Sequence, residues 1–584
     1  MSAASDTPRL RLPWWLAVAL GLACAAVGVV LIFRPFTSLS VLILLVAAGL
    51  IATCIATLAA ARRSASRLLP TLASLGWIAA GILVLAWPDL TTRGLAVVVG
   101  IALIVGGLLD VVAGLRGTTD ERLAAVISGL ASMIFGVLAL TWPDVTVLVV
   151  AIVFGARLVL FGLRLAWTAF RDRDGVAAPV ADRPPGRMRR VGHVLVAVLA
   201  LVLALALAGV SWRINEAEPV VDAFYDTPDD VPAEPGAVLR SEPFTREIPD
   251  GARAWRILYT TTVADGVPAV ASGIVVVPDP APSEPPPVIA WAHGTTGVAR
   301  RCAPSVLPNP WTAGAFFSLD RVVAEGWALV ATDYVGLGGE GEHPYLVGEP
   351  AGRSVLDAVR AARQLDGVEV SDQAVVWGHS QGGGAALWTG VLAPRYAPDA
   401  NVIGVAALAP ASDLVGLVDH LPDVTGGSIF AAYAVRGYTS FYDDVTVGDY
   451  VRPTARTTFE ETADRCLNAA AIVSVLSAIT VGMDIFTGDV TSGALGRRLE
   501  ENVPRAAIEA PLLLGQGEAD RLVLSDIQDT YVEARCADGF PVDYRTYAGL
   551  DHVPLVEADS PLIPELIEWT HQRLDGAEPS STCP

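Results

Sequence analysis

Ser380 stands at the centre of the stretch VVWGHSQGGG, residues 375–384. An apolar run from Ala374 to Trp377 stops at Gly378-His379-Ser380-Gln381-Gly382, and small residues that can start a helix follow. G-x-S-x-G between a strand and a helix makes a nucleophile elbow, a turn that strains the serine backbone so that Oγ projects at the sheet top. The two glycines leave room for a close approach of strand and helix that any Cβ would block. A hydroxyl so placed attacks a carbonyl carbon once a base takes its proton and a carboxylate orients that base. The bland alternative, a glycine-rich loop with an incidental serine, does not require the flanking strand and helix. Ser380 is the expected nucleophile.

In α/β-hydrolases the partners follow in the order serine, acid, histidine. Seven histidines are available, and only His552 and His571 lie in the last part of the chain. His552 follows the apolar run Val542–Tyr547 within Tyr547-Ala548-Gly549-Leu550-Asp551-His552, a loop directly after a strand. His571 belongs to a polar helical tail, a place for a solvated side chain, so His552 is the expected base. Asp520 follows the strand-like Pro511–Gly515 in Gly517-Glu518-Ala519-Asp520, and is the expected acid. Asp551 adjoins His552, and neighbours in an extended loop point apart; Glu518 and Asp526 are fallbacks. The oxyanion needs two backbone N–H groups. One is expected from Gln381, after the nucleophile. The other is expected from the loop His293-Gly294-Thr295-Thr296-Gly297 that ends the apolar run Val288–Ala292, with Thr295 the foremost candidate. His293 and His379 read as residues that orient backbone at the strand ends.

These elements fall into a wider pattern. W-A-H-G-T-T-G at 291–297, Cys302-Ala303-Pro304-Ser305, Asp333-Tyr334-x-Gly336-Leu337-Gly338, His343-Pro344-Tyr345 and G-H-S-Q-G-G resemble the secretory lipase family over about residues 240–575. The resemblance implies a capped α/β-hydrolase fold and hydrolysis of carboxylic esters, acylglycerols included. It also implies two disulfides, Cys302–Cys466 and Cys536–Cys583. By themselves the four cysteines of this region allow three pairings, and their spacing suggests no metal site. The departure from the family lies upstream, where secretory lipases carry no membrane domain.

The 584 residues are too many for one core, and 53% are hydrophobic. Up to Arg190 there are 17 arginines against 9 acidic residues; from Val191 there are 23 against 52, so a basic half at +8 precedes an acidic half at −29. Lysine is absent throughout, which reads as base-composition bias. The acidic balance, −21 overall, argues against nucleic acid as a partner.

Apolar runs of spanning length are expected at about 14–33, 39–61, 68–87, 95–115, 123–142 and 145–167, each near the ~20 residues that cross ~30 Å of hydrocarbon. Asp110 lies near the end of one of these runs and reads as a residue that pairs or reaches the interface. Arg34-Pro35-Phe36-Thr37, Trp87-Pro88-Asp89-Leu90-Thr91 and Trp142-Pro143-Asp144-Val145-Thr146 recur between runs, their prolines 53 and then 55 residues apart. Three copies of one helical hairpin are implied. This W-P-D-x-T pattern resembles the HdeD-like family of six-helix membrane proteins over roughly residues 13–170, which implies architecture more than chemistry. A seventh run, Val191–Trp212, follows an arginine-rich linker. Arginines cluster near residues 9–11, 62–67, 116–122 and 171–190, so the positive-inside rule places the N-terminus in the cytoplasm and the acidic half outside. An oxidising compartment suits its four cysteines. The run ending in Ala206-Leu207-Ala208 before Gly209 also resembles a signal peptide, so release by cleavage there is a second possibility.

The expected organisation is a six-span membrane domain at 1–170, a cytoplasmic linker at 171–190 and a seventh span at 191–212. An acidic, proline-rich stalk at 213–238 comes next. The hydrolase core is expected at 239–412 and 506–584, interrupted by a helical cap at 413–505 above Ser380. Antiparallel strands leading into β-α alternation predict a mostly parallel sheet flanked by helices. The whole reads as a membrane-anchored serine hydrolase acting on a lipid or small ester without cofactor or metal. An acyltransferase on envelope lipids, or a membrane sensor or scaffold with a degenerate hydrolase domain, are the alternatives. Oligomeric state is not legible.

Overall fold

The structure is a computed structural model, and it describes residues 14–34, 88–116, 122–171, 187–216, 218–467 and 482–583. The chain divides into two compact units, Met1–Glu216 with Val451–Phe459, and Ala217–Tyr450 with Glu460–Pro584.

Five long helices are described in Met1–Glu216 of the first unit: α1 (Trp14–Phe33), α2 (Pro88–Arg116), α3 (Arg122–Thr141), α4 (Pro143–Arg171) and α5 (Arg187–Glu216). Each contains a stretch long and apolar enough to cross a membrane. The expected spans at 39–61 and 68–87, and most of the 171–190 linker, lie outside the described residues. Pro88 and Pro143 are the first residues of their helices, where a missing N–H costs nothing, so these prolines start helices as well as end the preceding runs. α1 packs on α4 and α2 on α3. Both pairs close on glycines: a Cβ on Gly21 would stand 2.6 Å from the Gly162 carbonyl oxygen, and one on Gly107 2.5 Å from that of Gly129. Small residues at such crossings let helices gain close backbone packing where lipid supplies no hydrophobic drive.

The second unit is built on a nine-stranded sheet in the order β1-β2-β3-β5-β4-β6-β7-β8-β9. β1 (Val238–Phe244), β2 (Ala252–Ala264) and β3 (Val267–Pro278) form an antiparallel meander, and β3 also lies antiparallel to β5 (Ala328–Thr332). From there β4 (Val288–Ala292), β6 (Ala374–His379), β7 (Val402–Leu408), β8 (Leu512–Gly517) and β9 (Asp543–Tyr547) run parallel. β4, β5, β6 and β8 are buried along their whole length, which is why they read as continuous apolar runs. One core packs helices α6 (Gly348–Ala362) and α7 (Gln381–Tyr396) on one face. A second core covers the other face with Leu562, Leu566 and Trp569 of the C-terminal helix Leu562–Leu574. The fold is an α/β-hydrolase with a mostly parallel sheet.

Between β7 and β8 the chain makes a long helical excursion, which includes Leu414–His420, Gly427–Phe441 and Gly493–Glu501. The segment ahead of β1 differs from the extended stalk expected for it. Phe224 and Tyr225 are buried in the hydrolase core, and the Tyr225 hydroxyl meets Ser305 Oγ at 2.8 Å. Arg256 lies over the Phe224 ring at 4.2 Å, and Arg240 donates to the Phe224 carbonyl at 2.9 Å. The aromatic pair outweighs the surrounding acidic and proline-rich composition, because burying two such rings gains more than solvating the charges requires. This strap is part of the domain.

Candidate active site

The C-terminal edge of the parallel sheet gathers strained backbone. Tyr334 after β5, Ser380 after β6 and Ala409 after β7 all have positive φ, 67°, 60° and 42°. Ser380 sits at φ 60°, ψ −120°, a conformation that costs an L-residue about 1–3 kcal/mol and persists only when its surroundings enforce it. The Ser380 N–H donates to the Leu408 carbonyl at 3.0 Å, and its own carbonyl accepts from Gly384 and Ala411. A Cβ on Gly378 would stand 2.0 Å from the Gly382 oxygen, and one on Gly382 1.9 Å from the Ala292 oxygen. Both glycines of G-x-S-x-G are therefore sterically obligatory. Gln381 is the first residue of α7, so its N–H has no intrahelical acceptor.

The loops after β8 and β9 bring the expected acid and base together. His552 Nδ1 donates to Asp520 Oδ2 at 2.7 Å. Asp520 is held in turn: its Oδ1 accepts the N–H groups of Leu522 and Val523, both at 2.9 Å, and Gln516 Nε2 approaches Oδ2 at 3.3 Å. His552 Nε2 is buried and has no hydrogen-bond partner among the described residues. The structure thus pairs Asp520 with His552 and leaves His552 Nε2 unengaged, without a hydrogen bond to Ser380 among the described residues. Loose or missing nucleophile–base bonds are common where no substrate is bound. His379, next to Ser380 in sequence, packs against His552 with ring centroids 4.6 Å apart and planes tilted by 42°, and donates from Nε2 to the His552 carbonyl at 3.0 Å. Burial, and the neighbouring His552, hold the His379 ring well below its usual pKa, so it stays neutral beside the base.

Ser380, Gln381 and Thr295 line one small cavity of about 20 Å³, with Tyr345, Leu346, Leu522 and Val523 from the core and Ala411, Leu417, Val418, Leu421 and Phe430 from beyond β7. Thr295 Oγ1 is hydrogen-bonded to the Tyr345 hydroxyl at 2.8 Å. His293 is buried against the carbonyls of Gly294 and Asp333, which agrees with a role in orienting backbone. The fallback acids do not reach the base. Glu518 accepts from Thr546 Oγ1, Asp526 caps the N–H of Ile527, and His571 pairs with Glu325.

Two features escaped the sequence reading. His343 Nδ1 donates to the Val335 carbonyl at 2.9 Å, so Nε2 is free to accept from Gln381 Nε2 at 3.0 Å. Burial lowers His343 to about 4, and the ring braces Gln381 in neutral form. The motif His343-Pro344-Tyr345 was its only signal. The other feature is the apolar set Leu417, Val418, Leu421 and Phe430, since helical periodicity does not say which face meets the serine.

Both disulfides are formed, Cys302–Cys466 and Cys536–Cys583. The first ties the excursion after β7 to the loop that carries Thr295, where Leu467 N–H also donates to the Thr296 carbonyl at 2.8 Å.

Comparison with known proteins agrees with this architecture. Residues 312–582 match the secretory lipase family model. The C-terminal half carries a secretory lipase domain. Residues 19–71, 72–137 and 127–209 match a short repeat of unknown function, DUF308, the HdeD-like membrane family, in three copies. The third copy runs into the seventh apolar segment. Among similar proteins, a secreted triacylglycerol lipase (LIP7) of Malassezia globosa is 25% identical over 396 residues, covering 64% of this chain and 83% of its own. A protein named probable inactive lipase, from Mycobacterium tuberculosis, is 27% identical over 386 residues, 61% of this chain and 83% of its own. Candida antarctica lipase A in its closed state superposes with a TM-score of 0.54 at 20% identity, covering 63% of this chain and 88% of that one. That likeness establishes the fold.

Proposed function

We propose that this chain is a membrane-anchored serine ester hydrolase, with Ser380 as nucleophile, His552 as general base and Asp520 as the acid that orients it. The observations that carry the reading are a strained Ser380 that lines one cavity with Gln381 and Thr295, and a buried His552–Asp520 pair whose His552 is held by His379, the residue directly before Ser380. Ser380 Oγ bonds to the ester carbonyl carbon while its proton passes to His552 Nε2, and the N–H groups of Gln381 and Thr295 receive the oxyanion. Collapse breaks the ester C–O bond, the leaving alcohol takes the proton from Nε2, and water repeats the sequence on the acyl-enzyme. The apolar lining from Leu346 to Phe430 suits an acyl chain, as in acylglycerol-type esters, and agrees with relatives named triacylglycerol lipases.

The excursion after β7 is read as a cap, because four of its residues, Leu417, Val418, Leu421 and Phe430, line the cavity with Ser380. The apolar helices of the first unit serve as a multi-pass anchor in the cytoplasmic membrane. The arginine distribution puts the N-terminus inside, and two disulfides suit a hydrolase domain outside. A degenerate scaffold is disfavoured because nucleophile, base and acid candidates are all present.

The test uses purified full-length protein, a serine-directed fluorophosphonate and acyl esters of graded length. The wild type labels and releases acid, and Ser380→Ala loses turnover by a factor on the order of 10³ or more. Wild-type turnover in Ser380→Ala refutes the assignment. A wild type that neither labels nor turns over makes the domain a scaffold, and product formed only with an added alcohol makes it an acyltransferase.

A further inference from the structure

Asp551 directly precedes His552, and its carboxylate is among the most engaged in the domain. Oδ1 accepts the His552 N–H at 2.8 Å and the Arg521 N–H at 3.1 Å. Oδ2 receives Arg521 Nε at 3.1 Å and Nη2 at 3.0 Å. Those partners are the base itself and the residue directly after the acid. Behind them the same two loops are already joined, Glu518 N–H to the Tyr547 carbonyl and Ala519 N–H to the Leu550 carbonyl, each at 3.0 Å.

We propose that Asp551 is a positioning residue, a staple between the loop of Asp520 and the loop of His552 that sets the register of the acid–base pair. The inference rests on the assignment of His552 and Asp520 above. The 2.7 Å contact between them joins the ends of two separate strands, β8 and β9, whose sheet bonds end at Gly517 and Tyr547. Past that point the loops depend on their own cross-links, and Asp551 supplies the pair nearest the reacting groups. One oxygen shared by two N–H groups fixes both backbones at once, which a hydrogen bond between side chains cannot do.

The carboxylate is suited to stay charged while it does this. Partial burial pushes its pKa up, but the N–H groups of His552 and Arg521 and the Arg521 guanidinium outweigh that, so it lies below the usual carboxylate range. On its solvent side Arg521 is the cation it meets among the described residues, and that side chain is 88% exposed and therefore adds little that water and salt do not screen. The backbone N–H groups hold the staple, and the ion pair accompanies it. His379 grips the other side of the base through the His552 carbonyl, so the residue is fixed at N–H, C=O and Nδ1.

Displacing a catalytic group by about 1 Å costs on the order of 10²-fold in rate. In the full-length protein, Asp551→Ala is therefore expected to lower kcat on a soluble ester by about 10- to 100-fold per folded molecule, with KM within about twofold. Asp551→Asn keeps an oxygen for the two N–H groups and is expected to restore kcat to within about fivefold of wild type. Arg521→Ala keeps its N–H and is expected to cost a few-fold at most. A residue that only stabilised the fold would lower the yield of folded enzyme and leave kcat per folded molecule alone. Hydrogen exchange on the wild type needs no variant to fold: the amides of Arg521 and His552 are expected to exchange slowly, well below open-loop rates.

Wild-type kcat in Asp551→Ala, an Asn variant as slow as the Ala variant, or open-loop exchange at those two amides each overturn the staple. His552→Ala separates this failure from the larger one. If it is inactive while Asp551→Ala is normal, only the staple falls; if it keeps turnover, the assignment of the base itself falls.

Discussion

Asp520→Asn tests the proposed pair through a single atom. In the wild type, Oδ1 of Asp520 accepts two backbone N–H groups and Oδ2 accepts from His552 Nδ1. An asparagine has one oxygen and one NH₂ to place. Turning the NH₂ toward Leu522 and Val523 would set donors against two fixed N–H groups, so the oxygen must take that side. The NH₂ then faces His552 Nδ1, which can only accept, and the ring's proton moves to Nε2. That tautomer has no lone pair to receive a proton from Ser380. The same inversion in a serine protease triad lowers kcat about 10⁴-fold, which corresponds to roughly 5.5 kcal/mol of transition-state stabilisation. The fold should survive, because the replacement is isosteric and its oxygen keeps the two backbone bonds. The assay is the steady-state hydrolysis of a soluble acyl ester by the full-length protein, with fluorophosphonate labelling rate as a second reading of serine reactivity. His552→Ala should be more severe, since it removes the base and not only its orientation. Turnover in Asp520→Asn within about tenfold of wild type would refute the tautomer argument and move the acid elsewhere.

Other consequences follow from the same contacts. Gly382→Ala puts a methyl 1.9 Å from a backbone oxygen that has no room to retreat, and should cost on the order of 4 kcal/mol or more, read as loss of folded or labelable protein. Removing Cys302–Cys466, which closes a separation of 164 residues, should cost about 2–5 kcal/mol and lower kcat through the Thr295 loop, measured by urea unfolding and turnover of the double serine variant. His343 titrates near 6.5 unfolded and about 4 folded, so the unfolded state binds the extra proton; stability is full above pH 6.5 and declines as pH falls toward 4, by roughly 3 kcal/mol, a slope that His343→Gln should reduce in pH-dependent unfolding. Impermeant thiol labelling of intact cells after mild reduction should modify Cys536 or Cys583, the more exposed pair; labelling only after lysis would place the hydrolase domain in the cytoplasm.

Much of this site is legible because its chemistry is local. The glycines at 378 and 382 are demanded by backbone atoms within a few residues or on the adjacent strand. The parallel strands read as apolar runs because both faces are buried. The acid and base could be ranked from chain order, since each must follow a strand. The strap at 218–237 was not legible for the opposite reason: its composition is solvent-like, and only the adjacent Phe224 and Tyr225 reveal that it has somewhere to pack. Chain adjacency argues against Asp551 as the acid but says nothing of where its carboxylate goes, which is to the N–H groups of His552 and Arg521. That depends on the β9 loop lying beside the β8 loop, a tertiary fact. The four apolar side chains that roof the serine were hidden in the same way.

The roof bears on what the site must do before it can react. A cavity of about 20 Å³ holds a water molecule or two and no acyl chain. Leu417, Val418, Leu421 and Phe430 therefore occupy the space a substrate needs, and they come from the excursion after β7. Midway along, it is tied to the Thr295 loop by Cys302–Cys466 and by the Leu467–Thr296 bond. Its near end, Leu414–Asp423, makes an exposed contact from His420 to the Arg521 carbonyl at 3.3 Å and is followed by Gly426 at φ +82°. Under the roles proposed above, an acyl chain enters only as these four side chains give way, while the loop of Thr295 stays cross-linked to the excursion at Cys466.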